Sequence, residues 1–243
     1  MQHQLWITAL FNRYLNGFGN SVLDAVGRPA AHHNRPWSDW MVCEILVFFF
    51  ILIFFAIVRT RLSVDKPGRL QHTLEVTYEF IYAQAEDAVG EQTPRYMVFF
   101  GSVFFCVLFL NLLGLIPGFD SPTMYPMVTL GFAVATFVFY NVAGLRVNGL
   151  GYFKQFIGPL VWLAPLLIPI EIFTHFSRML SLSVRLYANM FAGEQVYITF
   201  LSLLKIVVPV IFIGLHLFVA LLQAYIFMLL AMIYVGQAVS HEH

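Results

Sequence analysis

Long apolar stretches, rather than alternation, dominate the chain. A bilayer core of about 30 Å is crossed by about 20 apolar helical residues. Residues 41–58 include VFFFILIFFAIV, with Glu44 near the start, Asp39 and Trp40 before it and Arg59 and Arg61 after it. Residues 96–116 close at Pro117 and Gly118, and residues 127–147 close at Asn148, Gly149 and Gly151. Two further runs, 165–203 and 208–239, complete a set of five predicted membrane-embedded helices. Residues 70–89 are of another kind. Leu70, Leu74, Tyr78, Ile81, Ala85 and Ala88 recur at helical spacing, while Glu75, Glu79 and Glu86 form a separate face. That pattern predicts an interfacial amphipathic helix on the membrane surface or on a partner, with an acidic face ill suited to anionic lipid.

Residues 1–39 read as an exported tail and 40–243 as one membrane domain. No cleavable signal peptide is expected, because Asn12, Arg13, Asn16 and Asn20 interrupt any apolar core. His32 and His33 lack metal-ligand partners in the pattern and read as polar tail. Placing Arg59, Arg61, Lys66, Arg69, Arg95, Arg146 and Lys154 in the cytoplasm leaves Arg13, Arg28, Arg35 and Lys205 outside. This bias predicts an outer N-terminus and an inner C-terminus.

Composition agrees. Of 243 residues 60% are apolar or aromatic and 11% are charged, against about 45–50% and about 25% in soluble domains. A soluble domain, a disordered chain and a nucleic-acid binder are thereby excluded. Net charge is zero, and Cys43 and Cys106 both lie in apolar runs, so neither a disulfide framework nor a metal site is expected.

The chemistry concentrates in the fourth run. No proline falls between Pro169 and Pro209, and a helix over residues 170–208 would be about 58 Å long at 1.5 Å per residue. It either hides a turn, with Gly193 the obvious weak point, or is strongly inclined. It also holds Glu171, His175, Arg178, Arg185, Glu194 and Lys205. A charge at mid-membrane costs from about 3 to over 10 kcal/mol. Lys205 near an end snorkels to the interface; Arg185 is too deep for that. Glu171, Arg178 and Arg185 recur every seven residues and share a face with Thr174, Ser181, Ala188, Asn189 and Ala192. No carboxylate stands three or four residues from Arg185. Its counter-charge must come from another helix or another chain. Glu194 faces about half a turn away. On the last run His216 and Gln223 share a face, with Tyr234 and Gln237 near it. A carboxylate, an imidazole and amides on two sequential helices read as a wet polar track, since imidazole titrates near neutral pH. Asn111 and Asn141 add polar groups on the second and third runs, each also readable as simple inter-helix glue.

The segment LSLSVRLYANMFAGEQVY (residues 180–197) resembles the signature of subunit a of the F-type proton-translocating ATP synthases. LLQAYIFMLLAMIYVGQAVSHEH (residues 221–243) resembles that family's last helix, and NLLGLIPG (residues 111–118) its second-span motif. The resemblance implies an all-α membrane protein whose last two helices form a long, strongly tilted hairpin against a rotating c-ring. It implies that Arg185 is the essential arginine, that Asn189 is its neighbouring asparagine and that Glu194 is the channel carboxylate. His216 and Gln223 become the last-helix pair, and Glu171 lies towards the inner half-channel. Asn111, Ser181 and His175 are expected along a secondary polar path. One departure is Gly114, where some bacterial members carry an aspartate; that acidic step is expected to be absent, leaving Glu194, His216 and Asn111 to carry more of the path. The implied partners are the c-ring, peripheral-stalk subunit b, membrane lipid and the translocated proton, with no cofactor and no nucleic acid. The implied location is a bacterial inner membrane, or alternatively a mitochondrial one.

Rival readings are weaker. An independent channel or carrier needs a whole ion path, often on internal repeats, and no repeat is visible. An intramembrane hydrolase using Ser181 or Ser183 with His175 lacks a GxSxG-like motif, and no GxxxxGK[ST] phosphate loop occurs.

Overall fold

A computed structural model describes residues 5–25, 36–63, 67–116, 119–149, 151–152, 164–203 and 207–239. The regular elements among them are all helical: α1 (Trp6–Tyr14), α2 (Asn16–Ala25), α3 (Asp39–Thr60), α4 (Arg69–Val89), α5 (Thr93–Leu113), α6 (Pro126–Asn148), α7 (Ala164–Leu203) and α8 (Val207–Val239), with single 3₁₀ turns at Gly90–Gln92 and Pro122–Met124. Among the described residues four helical stretches are long and apolar enough to cross a membrane: α3, the rod from α4 through α5, α6, and Ile211–Val239 of α8. The chain is an all-α membrane protein.

α8 is the hub, touching α4, α5, α6 and α7. Its buried face alternates small and large residues: Ala220, Ala224, Phe227, Met228, Ala231, Met232 and Val235 are all fully buried. Small residues let backbones approach closely where lipid supplies no hydrophobic drive between helices. Gly236 shows the limit, since a Cβ there would run into the Ala88 carbonyl of α4. α3 stands at the margin. Phe54 and Phe55 stack edgewise on Phe109 and Phe105 of α5, while Phe48, Phe49 and Ile53 stay exposed, as befits a face turned to acyl chains. The amphipathic α4 appears with the expected bounds and joins α5 through Gly90, whose φ of 71° is a left-handed turn that glycine makes at no steric cost. Pro94 then sits in the first turn of α5, where its missing N–H costs no helical bond.

Two sequence expectations are refined. α7 runs unbroken for 40 residues through Gly193, about 60 Å at 1.5 Å per residue, so no turn hides inside it. It starts at Ala164, which places Pro169 within the helix rather than before it. The N-terminal tail also contains two helices that clamp onto the start of α3. Asn12 donates to the Trp37 carbonyl at 3.0 Å and accepts from its backbone N–H at 2.9 Å, and the Trp37 indole donates to the Leu15 carbonyl at 3.0 Å. The helices are too short to persist alone; these long-range bonds hold them. His32–Arg35 lie outside the described residues, as do Arg28, Lys66, Pro117, Gly118, Lys154 and Lys205.

Candidate functional site: the seam between α7 and α8

α7 and α8 run antiparallel. Phe200 stacks on Phe212, with centroids 4.4 Å apart. Further along, Gly193 meets His216, Asn189 meets Gln223 and Arg178 meets Gln237. His216, Gln223 and Gln237 are spaced by multiples of seven, so one stripe of α8 faces α7 throughout.

Where Gly193 meets His216, Glu194 and His216 line a common cavity of about 20 Å³ with Gly114, Leu115, Tyr197 and Ile213. That is room for about one water. The imidazole is 7% exposed, and it fits because residue 193 is glycine: a Cβ there would lie 2.8 Å from His216 Nδ1. His216 Nε2 and Glu194 Oε2 are buried without a hydrogen-bond partner among the described residues, and the Ser121 backbone N–H lies near the carboxylate. Both unpaired atoms therefore have capacity for a water or a proton.

At the middle crossing Asn189 Nδ2 donates to Gln223 Oε1 at 2.8 Å. Arg185 lies one turn back on α7, half-buried. Among the described residues no hydrogen bond or ion pair engages its guanidinium. Around it Ser181, Val184, Ala188, Asn189 and Ala192 form an exposed flank of mostly small side chains. Glu171 is half-buried two heptads before Arg185 on this flank.

At the Arg178–Gln237 crossing Arg178, unlike Arg185, is satisfied within the chain. It donates to Gln237 Oε1 at 2.7 Å and lies 5.6 Å over the Tyr234 ring. Next to it, buried His175 packs against Phe137 of α6, with Nε2 3.2 Å from the Tyr140 hydroxyl and 2.9 Å from Asn141 Oδ1. Tyr152 also donates to Asn141 Oδ1, at 3.0 Å.

Asn111 lies fully buried behind the seam. It donates to the Ala220 carbonyl of α8 at 3.3 Å and accepts from Thr123 at 2.7 Å, so both ends of its amide are engaged in holding a loop and a helix together.

The structure thus pairs Glu194 with His216 and Asn189 with Gln223. It sets Arg185, Ser181 and Glu171 on the open flank and gives His175 and Asn111 separate polar clusters. Gly193, the loop Ser121–Thr123 and Gln237 were not singled out in sequence for these duties. Sequence spacing places Gln237 near the His216–Gln223 face, and Gly193 reads there only as a weak point in the helix. No group of histidines, cysteines and carboxylates suited to a metal occurs among the described residues.

A polytopic helical protein with ionisable groups along a seam of two long helices is an integral membrane protein of the ion-transport class. Comparison with known proteins specifies it. The family model described as ATP synthase A chain matches residues 41–236. ATP synthase subunit a of Solibacter usitatus is 51% identical over 235 residues, which cover 96% of this chain and 100% of that protein. ATP synthase subunit a of Koribacter versatilis is 46% identical over 244 residues, covering both chains in full. That of Helicobacter hepaticus is 40% identical over 86% of this chain and 95% of its own. The chain belongs to the ATP synthase subunit a family, as a membrane-embedded stator subunit.

Proposed function

We propose that this subunit forms two proton half-channels beside a rotating ring of c subunits and so couples proton flow to ATP synthesis. The observation that carries the proposal is Arg185: a permanent cation, half-buried midway along a 40-residue helix, on an open flank, with no counter-charge among the described residues. A carboxylate carried past on a neighbouring ring supplies that charge. Close to Arg185 its ionised form is favoured, which releases its proton and bars direct leakage from one half-channel to the other. The Glu194–His216 cavity supports the outer half-channel, with Gln223 and Asn189 bordering the arginine. Glu171, Ser181 and His175 belong to the inner side. Each proton moved down 100 mV contributes about 2.3 kcal/mol.

Subunit b of the peripheral stalk and membrane lipid are the other proposed neighbours, in a bacterial inner membrane with the N-terminus outside. The deciding experiment is Arg185→Ala and Arg185→Lys in the assembled complex. Proton-driven ATP synthesis in inverted vesicles is abolished while the complex still assembles. Normal synthesis by the alanine variant would refute the assignment.

A further inference from the structure

Gly114 caps the end of α5, and the structure leaves no room for a side chain there. A Cβ there would lie 2.7 Å from Ser121 Cβ and 3.2 Å from its backbone nitrogen. The loop after α5 is packed directly onto that glycine. It is held by the Ser121 hydroxyl, which donates to the Leu110 carbonyl at 3.1 Å, and by Thr123, which donates to Asn111 at 2.7 Å. Packed this way, the loop presents the Ser121 N–H to the Glu194 carboxylate. The residue immediately before is Asp120.

Asp120 is half-buried. It is also close enough to Glu194 for the two charges to interact. Tyr125, which precedes α6, donates its phenol to Asp120 Oδ2 at 3.4 Å. Burial, then the charges of Asp120 and Asp39, push that phenol up to about 12, so it remains a donor at any working pH. Asp39 is occupied otherwise, accepting from the Leu5 N–H at 3.2 Å. Gly114, against which the loop packs, also lines the cavity of about 20 Å³ shared by Glu194 and His216. There the 93%-buried imidazole leaves Nε2 without a partner.

From this juxtaposition we infer that Asp120 is the proton-gathering carboxylate at the outer mouth of the path, carried on the loop that packs against Gly114. The inference rests on the half-channel reading above. The step balances as a relay. Asp120 takes a proton from hydronium, passes it to a water in the cavity, and that water gives one of its own protons to Glu194 Oε2 or His216 Nε2. The Asp120 carboxylate is thereby restored.

The test uses the whole membrane sector in liposomes, with passive proton flux driven by a potassium diffusion potential. Asp120→Asn keeps the shape and an acceptor for Tyr125 but cannot gather a proton. Flux falls by about tenfold, less than the ~100-fold that loss of a general acid brings in an enzyme, because Glu194 remains. Asp120→Glu conducts normally. Tyr125→Phe removes the hydrogen bond yet leaves the carboxylate, and it too conducts normally. Wild-type flux in Asp120→Asn overturns the inference, as does an equal loss in Tyr125→Phe, which would make Asp120 a mere loop-holder. Neither result touches the larger reading, which stands or falls with Arg185→Ala. Should Asp120→Asn not assemble, Asp120→Cys in a background lacking Cys43 and Cys106 is modified after assembly with carboxyl-bearing and amide-bearing thiol reagents. Faster flux with the carboxyl is expected, and equal flux overturns the inference.

Discussion

Asn189 on α7 and Gln223 on α8 share a hydrogen bond of 2.8 Å that joins an exposed residue to one only 1% exposed. The exposed partner stands one turn from Arg185, on the same flank. The buried partner stands two turns from His216 on the stripe that faces α7. One amide pair therefore connects the open side of the hairpin with its buried seam, and with the Arg178–Gln237 bond it fixes the sliding register of the two helices.

That register has a measurable strength. A double-mutant cycle with Asn189→Ala, Gln223→Ala and the pair is expected to give a coupling energy of about 0.6–1.7 kcal/mol, the range for hydrogen bonds between membrane helices. Unfolding of the purified subunit in mixed micelles measures it. Strict additivity of the two changes would show that the pair contributes nothing to the hairpin.

Gly193 provides the space in which the His216 ring sits. Gly193→Ala introduces a methyl 2.8 Å from Nδ1, so the imidazole must rotate away from Glu194 or the helices must part. Passive proton flux is expected to drop several-fold with assembly intact, and His216→Ala in the same background should lower it little further. A flux equal to that of the unaltered protein would mean that the position of the ring is immaterial.

Asn111 is expected to act on stability before transport. Asn111→Leu removes the bonds to the Ala220 carbonyl and from the Thr123 hydroxyl; Thr123 keeps Ser121 as a partner, so the cost is that of two lost hydrogen bonds, about 0.5–1.5 kcal/mol each. The thermal midpoint of the detergent-purified complex should fall by several degrees, and the loop carrying Ser121 should become accessible to protease. An unchanged midpoint would remove Asn111 from the framework.

Gly236 offers a packing test remote from the polar groups. A Cβ there would run into the Ala88 carbonyl of α4, so Gly236→Ala pries α4 from α8 at the point where α4 turns into α5. Overpacking of this kind costs about 1–3 kcal/mol. Reduced membrane levels of the subunit are expected, and a normal level with a normal midpoint would show that α4 shifts freely.

Much of this was legible in the sequence because membrane helices must be apolar to be inserted, and α3, α5, α6 and α8 lie within a few residues of their expected limits. α4 declared itself by its two faces. The seam was readable in part: seven-residue spacing placed His216 and Gln223 on one face, and Glu194 away from Arg185. What stayed hidden depends on a third dimension. Gly193 looked like a weak point in a helix, and only the neighbouring ring shows its use. Arg178 and Arg185 occupy equivalent places on the wheel, yet only Arg178 finds an amide across the seam. The clamp of α1 on α3 relies on a bond pair between residues 25 apart, for which no local pattern exists. Gly114 looked like a lost function, and the loop that fills the space above it could not be read from position 114 alone.

The flank around Arg185 has a mechanical side. Ser181, Ala188 and Ala192 are too short to rise above the backbone ridge, so nothing on that strip would catch a helix gliding across it. With a rotor alongside, the strip behaves as a bearing race, smooth except for a single electrostatic detent. Torque would then be set by how firmly one cation grips each arriving acid, and a bulky substitution such as Ala188→Trp would act as a brake while leaving every proton-carrying group in place.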